Sequence, residues 1–133
     1  MDNNHKIPIL VADDDTDILL FFRAIIKDAR YKLYLVSSGF DALEKAQKHK
    51  IFLAFIDVNM PDMDGLETLA KWKRIQPTTQ IVIISSYSDQ ELVRRAIKEG
   101  AYTYLFKPLN KMDIFSVTVK CLKMIGINNV ISF

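Results

Sequence analysis

Five short apolar runs alternate along the chain with five longer stretches of mixed polarity. The runs lie at Ile7–Ala12, 33–37, 52–58, Gln80–Ser85 and 101–106. Their length is typical of β-strands. Within them, the segments IFLAFIDV and IVIIS are apolar without alternation, which is typical of strands covered on both faces. The pattern therefore predicts a buried sheet of five strands.

The stretches between and after these runs have the spacing of amphipathic helices. They lie at 16–29, 40–49, Gly65–Ile75, 89–100 and 111–126. One face of the first carries apolar residues at helical spacing, namely Ile18, Phe22, Ile25, Ile26 and Ala29. Asp15 or Thr16 can cap this helix, and Gly100 and Gly126 can end the fourth and fifth helices.

Repeated strand–helix units of this size predict an α/β protein with a doubly wound parallel sheet and right-handed crossovers. Sheets of this kind bind their ligands at the carboxyl ends of the strands. The residues that directly follow each predicted strand are therefore the first candidates for function.

Composition narrows the class of protein. A length of 133 residues fits one domain, and we expect residues 1–133 to form it. The formal net charge of +2 is too small to indicate binding to nucleic acid or to a membrane. The single cysteine, Cys121, excludes an internal disulfide and fits a reducing compartment. No apolar run approaches the roughly 20 residues of a membrane helix, so we expect a cytoplasmic protein.

Charged and polar residues follow the predicted strands. Asp13, Asp14 and Asp15 come after the first strand, Asp57 ends the third, and Ser85 and Lys107 end the fourth and fifth. Several carboxylates held close together suit magnesium, which takes carboxylate and phosphate oxygens. A carboxylate beside such an ion can attack phosphorus, while a hydroxyl and an ammonium group bind phosphoryl oxygens. These parts suffice for phosphoryl transfer onto the protein itself.

The chain resembles the CheY-like receiver domains of two-component response regulators. The segments that carry the resemblance are ILVADDD, FIDVNMPDMDGLE, IVIISSYSD and GAYTYLFKP, in the order and spacing of that family. They span roughly residues 6 to 125. The resemblance implies a flavodoxin-like (βα)5 fold with the strand order 2-1-3-4-5.

The resemblance also assigns roles to individual residues. It implies phosphorylation of Asp57, with magnesium held by Asp13, Asp14, Asp57 and the backbone carbonyl of Asn59. Ser85 matches the switch hydroxyl and Lys107 the phosphate-binding lysine. Tyr104 matches the switch aromatic residue, and Pro108 is expected to follow a cis peptide bond. Asp15 falls outside the acidic pair, and we expect it at the start of the first helix, where its charge suits the helix dipole.

In this family the phosphoryl donor is a sensor histidine kinase or a histidine phosphotransfer protein. Phosphorylation is expected to change the face formed by the fourth helix, the fifth strand and the fifth helix. That face would serve a downstream effector protein, an output domain or a homodimer. From residue 88 onward seven Lys and Arg residues stand against four Asp and Glu residues, so the face is mildly basic. The resemblance implies a regulatory protein and not an enzyme acting on other substrates.

Three alternatives stay open. A metal-dependent phosphohydrolase of the haloacid dehalogenase type also uses a strand-end aspartate, but its D-x-D-x-[T/V] motif fails, since Asp17 or Leu19 occupies the last position. A flavin- or nucleotide-binding protein would need a phosphate-binding loop where ADDDTD stands. The chain could also be the receiver portion of a longer regulator or hybrid kinase, with the apolar tail 126–133 leading into a further domain. No segment resembles a helix-turn-helix, so direct DNA binding is not expected.

Overall fold

A computed structural model of the protein describes residues 6–127. The strands are β1 (Ile7–Ala12), β2 (Tyr31–Val36), β3 (Leu53–Asp57), β4 (Gln80–Ser85) and β5 (Thr103–Phe106). The helices are α1 (Thr16–Ile25), α2 (Gly39–Lys48), α3 (Gly65–Ile75), α4 (Gln90–Lys98) and α5 (Lys111–Met124). All strand pairs are parallel, and the sheet has the order β2-β1-β3-β4-β5. The predicted flavodoxin-like fold is confirmed.

The three central strands divide their side chains between two cores. Alternate residues of a strand point to opposite faces, so Leu10, Ala54 and Ile83 join one core, which also holds Trp72 of α3. The other core takes side chains from the intervening strand positions, including Phe55, and packs them against α1 and α5. Each fully buried large apolar side chain contributes roughly 1.5–3 kcal/mol to folding. The unbroken apolar runs of β3 and β4 are thus explained by burial on both faces.

The first helix is shorter than the sequence predicts. α1 ends at Ile25, and Ile26 already has non-helical dihedral angles of −100° and 80°. The Asp28 carboxylate accepts a hydrogen bond from the backbone N–H of Arg30 at 2.8 Å, which stabilises a turn in place of a further helical turn. Ala29, expected on the buried face of the helix, is therefore exposed in this turn.

Several strand boundaries also differ from the prediction: β3 spans Leu53–Asp57 rather than 52–58, and β2 ends at Val36 rather than at residue 37. β2 begins at Tyr31 and not at residue 33, because the buried Tyr31 pairs with Ile7 although the exposed Lys32 follows it. β5 begins at Thr103, since Ala101 still closes the turn after α4 by donating to the carbonyl of Ala96, and Tyr102 leads into the sheet by donating to the carbonyl of Ile81. The predicted bounds of β1 and β4 are those observed.

Helix ends follow the predicted capping residues. The Asp15 side chain accepts a hydrogen bond from the N–H of Asp17 as the N-cap of α1. Gly100 and Gly126, which follow α4 and α5, have φ values of 110° and 88°, where a side chain would be strained.

Within residues 6–127, no helix combines the length and the apolar composition needed to cross a membrane. The expected tail 126–133 lies outside the described residues apart from Gly126 and Ile127. The His49 ring stacks on Tyr34 with the ring centroids 4.9 Å apart. Cys121 is buried in α5.

Candidate functional site

Three carboxylates meet where β1 and β3 end. Asp13 and Asp14 directly follow β1, and Asp57 is the last residue of the neighbouring strand β3. One oxygen of each carboxylate lies within 4.8 Å of the others. Asp13 and Asp57 are buried, whereas Asp14 is exposed. The register of the sheet, in which Ala12 pairs with Ile56, brings these residues together.

Asp13 is held by the backbone on both sides. Its N–H donates to the carbonyl of Val36 at 3.1 Å, and its Oδ1 accepts from the N–H of Asp15 at 2.9 Å. The other oxygen, Oδ2, is buried and accepts no hydrogen bond of good geometry among the described residues. Such an oxygen needs a positive charge or a polar partner nearby.

Lys107 supplies one positive charge to the cluster. Its Nζ lies 3.0 Å from Asp13 Oδ2 and 3.2 Å from Asp57 Oδ1. Its backbone N–H donates to the carbonyl of Ser85 at 2.8 Å, which fixes it at the end of β5, and the Lys107–Pro108 peptide bond is cis. Burial lowers the pKa of Lys107, but the two carboxylates outweigh burial, so the pKa is raised.

The pKa of Asp57 is raised by its burial first and by the charge of Asp13 second, and Lys107 offsets these effects only in part. Three carboxylates therefore face one ammonium group, and negative charge is in excess. A divalent cation with oxygen ligands matches this donor set and its excess charge. The residues thus fit a magnesium ion on chemical grounds.

A close approach of the backbone positions α3 beside Asp57. The N–H of Gly65 donates to the carbonyl of Val58 at 2.8 Å, and a Cβ atom at residue 65 would collide with the carbonyl oxygen of Asp57. The loop before α3 contains Asp62, a non-glycine residue with a φ of 70°. Glycine at position 65 is therefore required by contact with the end of β3.

Ser85 and Tyr104 are joined through the main chain of Tyr87. The Oγ of Ser85 accepts from the N–H of Tyr87 at 3.0 Å, and the carbonyl of Tyr87 accepts from the Tyr104 hydroxyl at 3.3 Å. Ser85 and Tyr104 are both buried. Sequence reasoning singled out both residues but not the bridge, because a main-chain hydrogen bond leaves no signal in residue type.

An open pocket surrounds the acidic cluster. It is lined by Asp13, Asp14, Asp15, Asp57, Asn59, Ser86, Tyr87 and Lys107. Ser85, which is buried at the end of β4, is not one of the lining residues. The structure thus gathers Asp13, Asp14, Asp57 and Lys107 directly, and it places Asn59 at the wall of the same pocket.

The ring of Tyr104 connects this region to the surface of α4 and β5. Its centroid lies 5.2 Å from that of Phe106, whose side chain is 48% exposed. Phe106 in turn lines an apolar groove beside α4 with Ser88, Gln90, Val93 and Arg94. A continuous path of contacts therefore runs from Ser85 to an exposed face.

Comparison with known proteins identifies the family. The family model described as "Response regulator receiver domain" matches residues 9–118. The chain belongs to the response regulator receiver domain family. Receiver domains are regulatory units and not enzymes with separate substrates, so the acidic pocket lies in a signalling domain.

Individual relatives agree with this assignment. The transcriptional regulatory protein ZraR of Escherichia coli K12 is 35% identical over 117 residues, covering 88% of this chain and 26% of ZraR. The chemotaxis protein CheY of Listeria monocytogenes is 28% identical over 116 residues, covering 86% of this chain and 98% of CheY. The chain spans about a quarter of the length of the ZraR proteins that it matches.

A CheY-like receiver domain protein from Methanospirillum hungatei has a similar crystal structure. The TM-score is 0.83 at 28% identity, and the alignment covers 89% of this chain and 95% of that one. The similarity extends over nearly the whole described fold.

Proposed function

We propose that this chain is a phosphoacceptor receiver domain in which Asp57 takes a phosphoryl group from a phosphohistidine of a sensor histidine kinase or a histidine phosphotransfer protein. The observation that carries the proposal is the meeting of Asp13, Asp14 and Asp57 around the Lys107 ammonium group. Charge neutralisation and positioning are what phosphoryl transfer chiefly needs from a protein. Membership in the receiver family supports the same role.

Asp57 is the nucleophile of the proposed reaction. One of its carboxylate oxygens attacks phosphorus, the bond from phosphorus to the donor imidazole nitrogen breaks, and an acyl phosphate forms on Asp57. Lys107, already 3.2 Å from Asp57 Oδ1, pairs with a phosphoryl oxygen. The Ser85 hydroxyl binds another phosphoryl oxygen.

Magnesium would be held by Asp13, Asp14, Asp57 and the backbone carbonyl of Asn59. When bound, it supplies positive charge that offsets the charge of the phosphoryl group. The buried Asp13 Oδ2, which accepts no hydrogen bond of good geometry among the described residues, is a natural ligand atom.

The switch proceeds through the contacts of Tyr87. When Ser85 turns toward the phosphoryl group, its hydrogen bond from the Tyr87 N–H is broken, and residue 87 is released from one of its two anchors. The second anchor is the Tyr104 hydroxyl, so the change reaches Tyr104 and Phe106. Phosphorylation thereby biases the α4-β5-α5 face between two arrangements.

That face would bind a downstream effector protein, an output domain or a second copy of the chain. Direct nucleic-acid binding is not part of the proposal, and the cytoplasmic location stays a prediction. The relatives ZraR and CheY carry the names of transcriptional and chemotaxis regulators, which fits either kind of output.

A metal-dependent phosphohydrolase is the competing function for the same carboxylates. A receiver retains its phosphoryl group and releases at most one phosphate for each donor that it consumes, whereas a hydrolase releases phosphate from added phosphate esters over many turnovers. With a small acyl or amide phosphodonor, we expect the protein to retain the phosphoryl group. With phosphate esters, we expect it to release no phosphate. Release of phosphate from esters over many turnovers, lost in Asp57→Asn, would show that the protein is a phosphohydrolase and would contradict the proposal.

Magnesium is expected to raise the melting temperature of the protein. At an ion concentration about ten times the Kd, the free energy of unfolding rises by about 1.4 kcal/mol. The shift should disappear in Asp13→Asn. Asp15→Asn is the matched control, since asparagine caps a helix about as well as aspartate and the variant keeps all three ligand carboxylates. Thermal denaturation with and without magnesium measures both effects, and an unchanged shift in Asp13→Asn would contradict the assignment.

A further inference from the structure

Charge is divided between the two edges of the sheet. All five helices have an acidic residue in the first turn and a basic residue in the last turn. In a parallel sheet each helix starts at the carboxyl edge of the strands and ends at the amino edge. The carboxyl edge, which holds Asp57, is therefore acidic, and the opposite edge is basic. We call this opposite side the basic edge.

The basic edge is defined by residues that precede strands or end helices. They are Lys6, Arg30 and Lys50 before β1, β2 and β3, and Arg23, Lys48, Arg74, Lys98 and Lys123 at the ends of the five helices. All are exposed. Within residues 6–127, the acidic residues toward this edge are Asp28, Glu44 and Glu99.

Much of the positive charge at the basic edge has no acidic partner. Asp28 is paired with Arg30 at 2.7 Å, and Glu44 lies 3.5 Å from Lys48. In the part of the chain that the structure describes, Lys6, Lys50 and Lys123 form no ion pair. These lysines lie on the edge of the sheet opposite to the phosphoacceptor site, so their charge is not needed for phosphoryl transfer.

An apolar groove opens within this edge. It is lined by Lys50, Phe52, Thr78, Ile125 and Ile127, and we call it the basal groove. The chain reverses after α5, because Gly126 donates to the carbonyl of Lys123 and Ile127 donates to that of Leu122, at 3.1 and 2.9 Å. This turn packs Ile127 against the core that lies between the sheet and the helices α1 and α5, while Ile125 stays 40% exposed.

Lys50 connects the groove to the surrounding charge. Its ammonium group lies 5.5 Å from the centre of the Phe52 ring, so one cation stands at the wall of an apolar depression. An apolar side chain can enter between Phe52 and Ile125, and acidic neighbours of that side chain can pair with Lys50 and Lys123.

We propose that the basal groove docks an acidic segment of a partner protein that carries an apolar anchor residue. Charge complementarity argues for this occupant, because Lys50 lines the apolar slot, Lys6 and Lys123 lie on the same edge without an ion pair among the described residues, and the acidic residues at this edge are few. The protein would thus have a second docking surface, on the side of the sheet opposite to Asp57. Binding there would leave the phosphoacceptor pocket open.

Other occupants match these features less well. The chain's own residues 128–133, NNVISF, contain no acidic residue and would leave the lysines unpaired. A membrane surface is usually bound through several exposed large apolar side chains or an amphipathic helix. Nucleic acid is usually bound through exposed aromatic stacking platforms or phosphate contacts; here Phe52, the one aromatic residue of the groove, is half-buried beneath Lys50.

The test is an NMR titration of the full chain, in which two-dimensional ¹H–¹⁵N correlation spectra follow the chemical shifts of the backbone amides. The probe is a capped synthetic peptide of Asp and Glu residues around leucines, and its control replaces the acidic residues with lysine. We expect shifts at Phe52, Thr78 and Ile127 with the acidic peptide alone. Lys50→Glu should weaken binding roughly tenfold, and higher salt should weaken it further. Lys111→Glu, the same change at the exposed start of α5 on the opposite edge of the sheet, should leave the affinity unchanged.

Four results would overturn the proposal. One is a set of shifts confined to the α4 groove near Val93 and Phe106. A second is equal weakening by Lys50→Glu and Lys111→Glu, which would indicate nonspecific attraction. A third is stronger response of the same amides to anionic lipid vesicles or duplex DNA than to the peptide. The fourth is binding that appears only after deletion of residues 128–133. Phosphoryl uptake by Asp57 is measured separately and is independent of all four.

Discussion

Replacement of Gly65 with alanine is expected to lower the free energy of unfolding by about 3 kcal/mol and to weaken magnesium binding. The added Cβ would collide with the carbonyl oxygen of Asp57 and would lie 2.8 Å from the Cα of Val58. Both are backbone atoms at the end of a central strand, so neither can move without displacing the Asp57 carboxylate. Urea unfolding and magnesium titration measure the two losses.

Gly126→Ala provides the matched control for this prediction. Gly126 has a φ of 88°, and among the described residues no atom beyond Gly126 and its chain neighbours lies within 4 Å of the Cβ that alanine would add. The substitution should therefore cost only the strain of the left-handed conformation, about 1 kcal/mol, with magnesium binding unchanged. Equal destabilisation by the two substitutions would show that the contact with Asp57 has no special weight.

Lys107→Met is expected to lower the free energy of unfolding by about 3 kcal/mol near neutral pH. The methionine keeps much of the volume and removes the charge that lies 3.0 Å from Asp13 and 3.2 Å from Asp57. Two buried carboxylates then repel each other without compensation. Urea unfolding measures the loss, and Lys111→Met, the same change at the exposed start of α5, is the control.

The pH dependence of this loss has a definite sign. Because the pKa of Asp57 is raised in the folded state, the stability linked to this group is present in acid and is lost as the pH rises through the folded pKa. The deficit of Lys107→Met should therefore shrink in mild acid, where Asp57 takes up a proton. It should also shrink when magnesium is added, since the ion replaces the missing charge. A deficit unchanged by either treatment would show that Lys107 acts through packing alone.

Those parts of the fold that depend on uninterrupted burial could be predicted from sequence. β1 and β4 have the predicted bounds, because each apolar run is closed by polar residues. The end of α1 could not be predicted, because the turn depends on the Asp28 side chain competing with the helix, a contact that periodicity does not report. The edge strand β2 is half-exposed and has the charged residue Lys32 at its second position, so its first two residues do not read as part of an apolar run.

In the candidate site, too, some features could be predicted from the sequence and others could not. Parallel strands place their carboxyl ends together, so the meeting of Asp13, Asp14, Asp57 and Lys107 follows from sequence order and sheet topology. The collision that demands Gly65 depends on how closely α3 approaches β3, which only coordinates reveal. The bridge through the main chain of Tyr87 is likewise invisible in sequence, because any residue has the same N–H and carbonyl groups.

The central claim is that Asp57 is the phosphoacceptor, and intact mass tests it most directly. The full chain and its Asp57→Asn variant are incubated with a small-molecule phosphodonor and magnesium. Mass spectrometry measures the intact mass of each protein before and after the incubation. We expect the unmodified chain to gain one phosphoryl group and the variant to gain none, while both variant and parent remain folded by circular dichroism. An unchanged mass in the parent chain, or an equal gain in Asp57→Asn, would contradict the account.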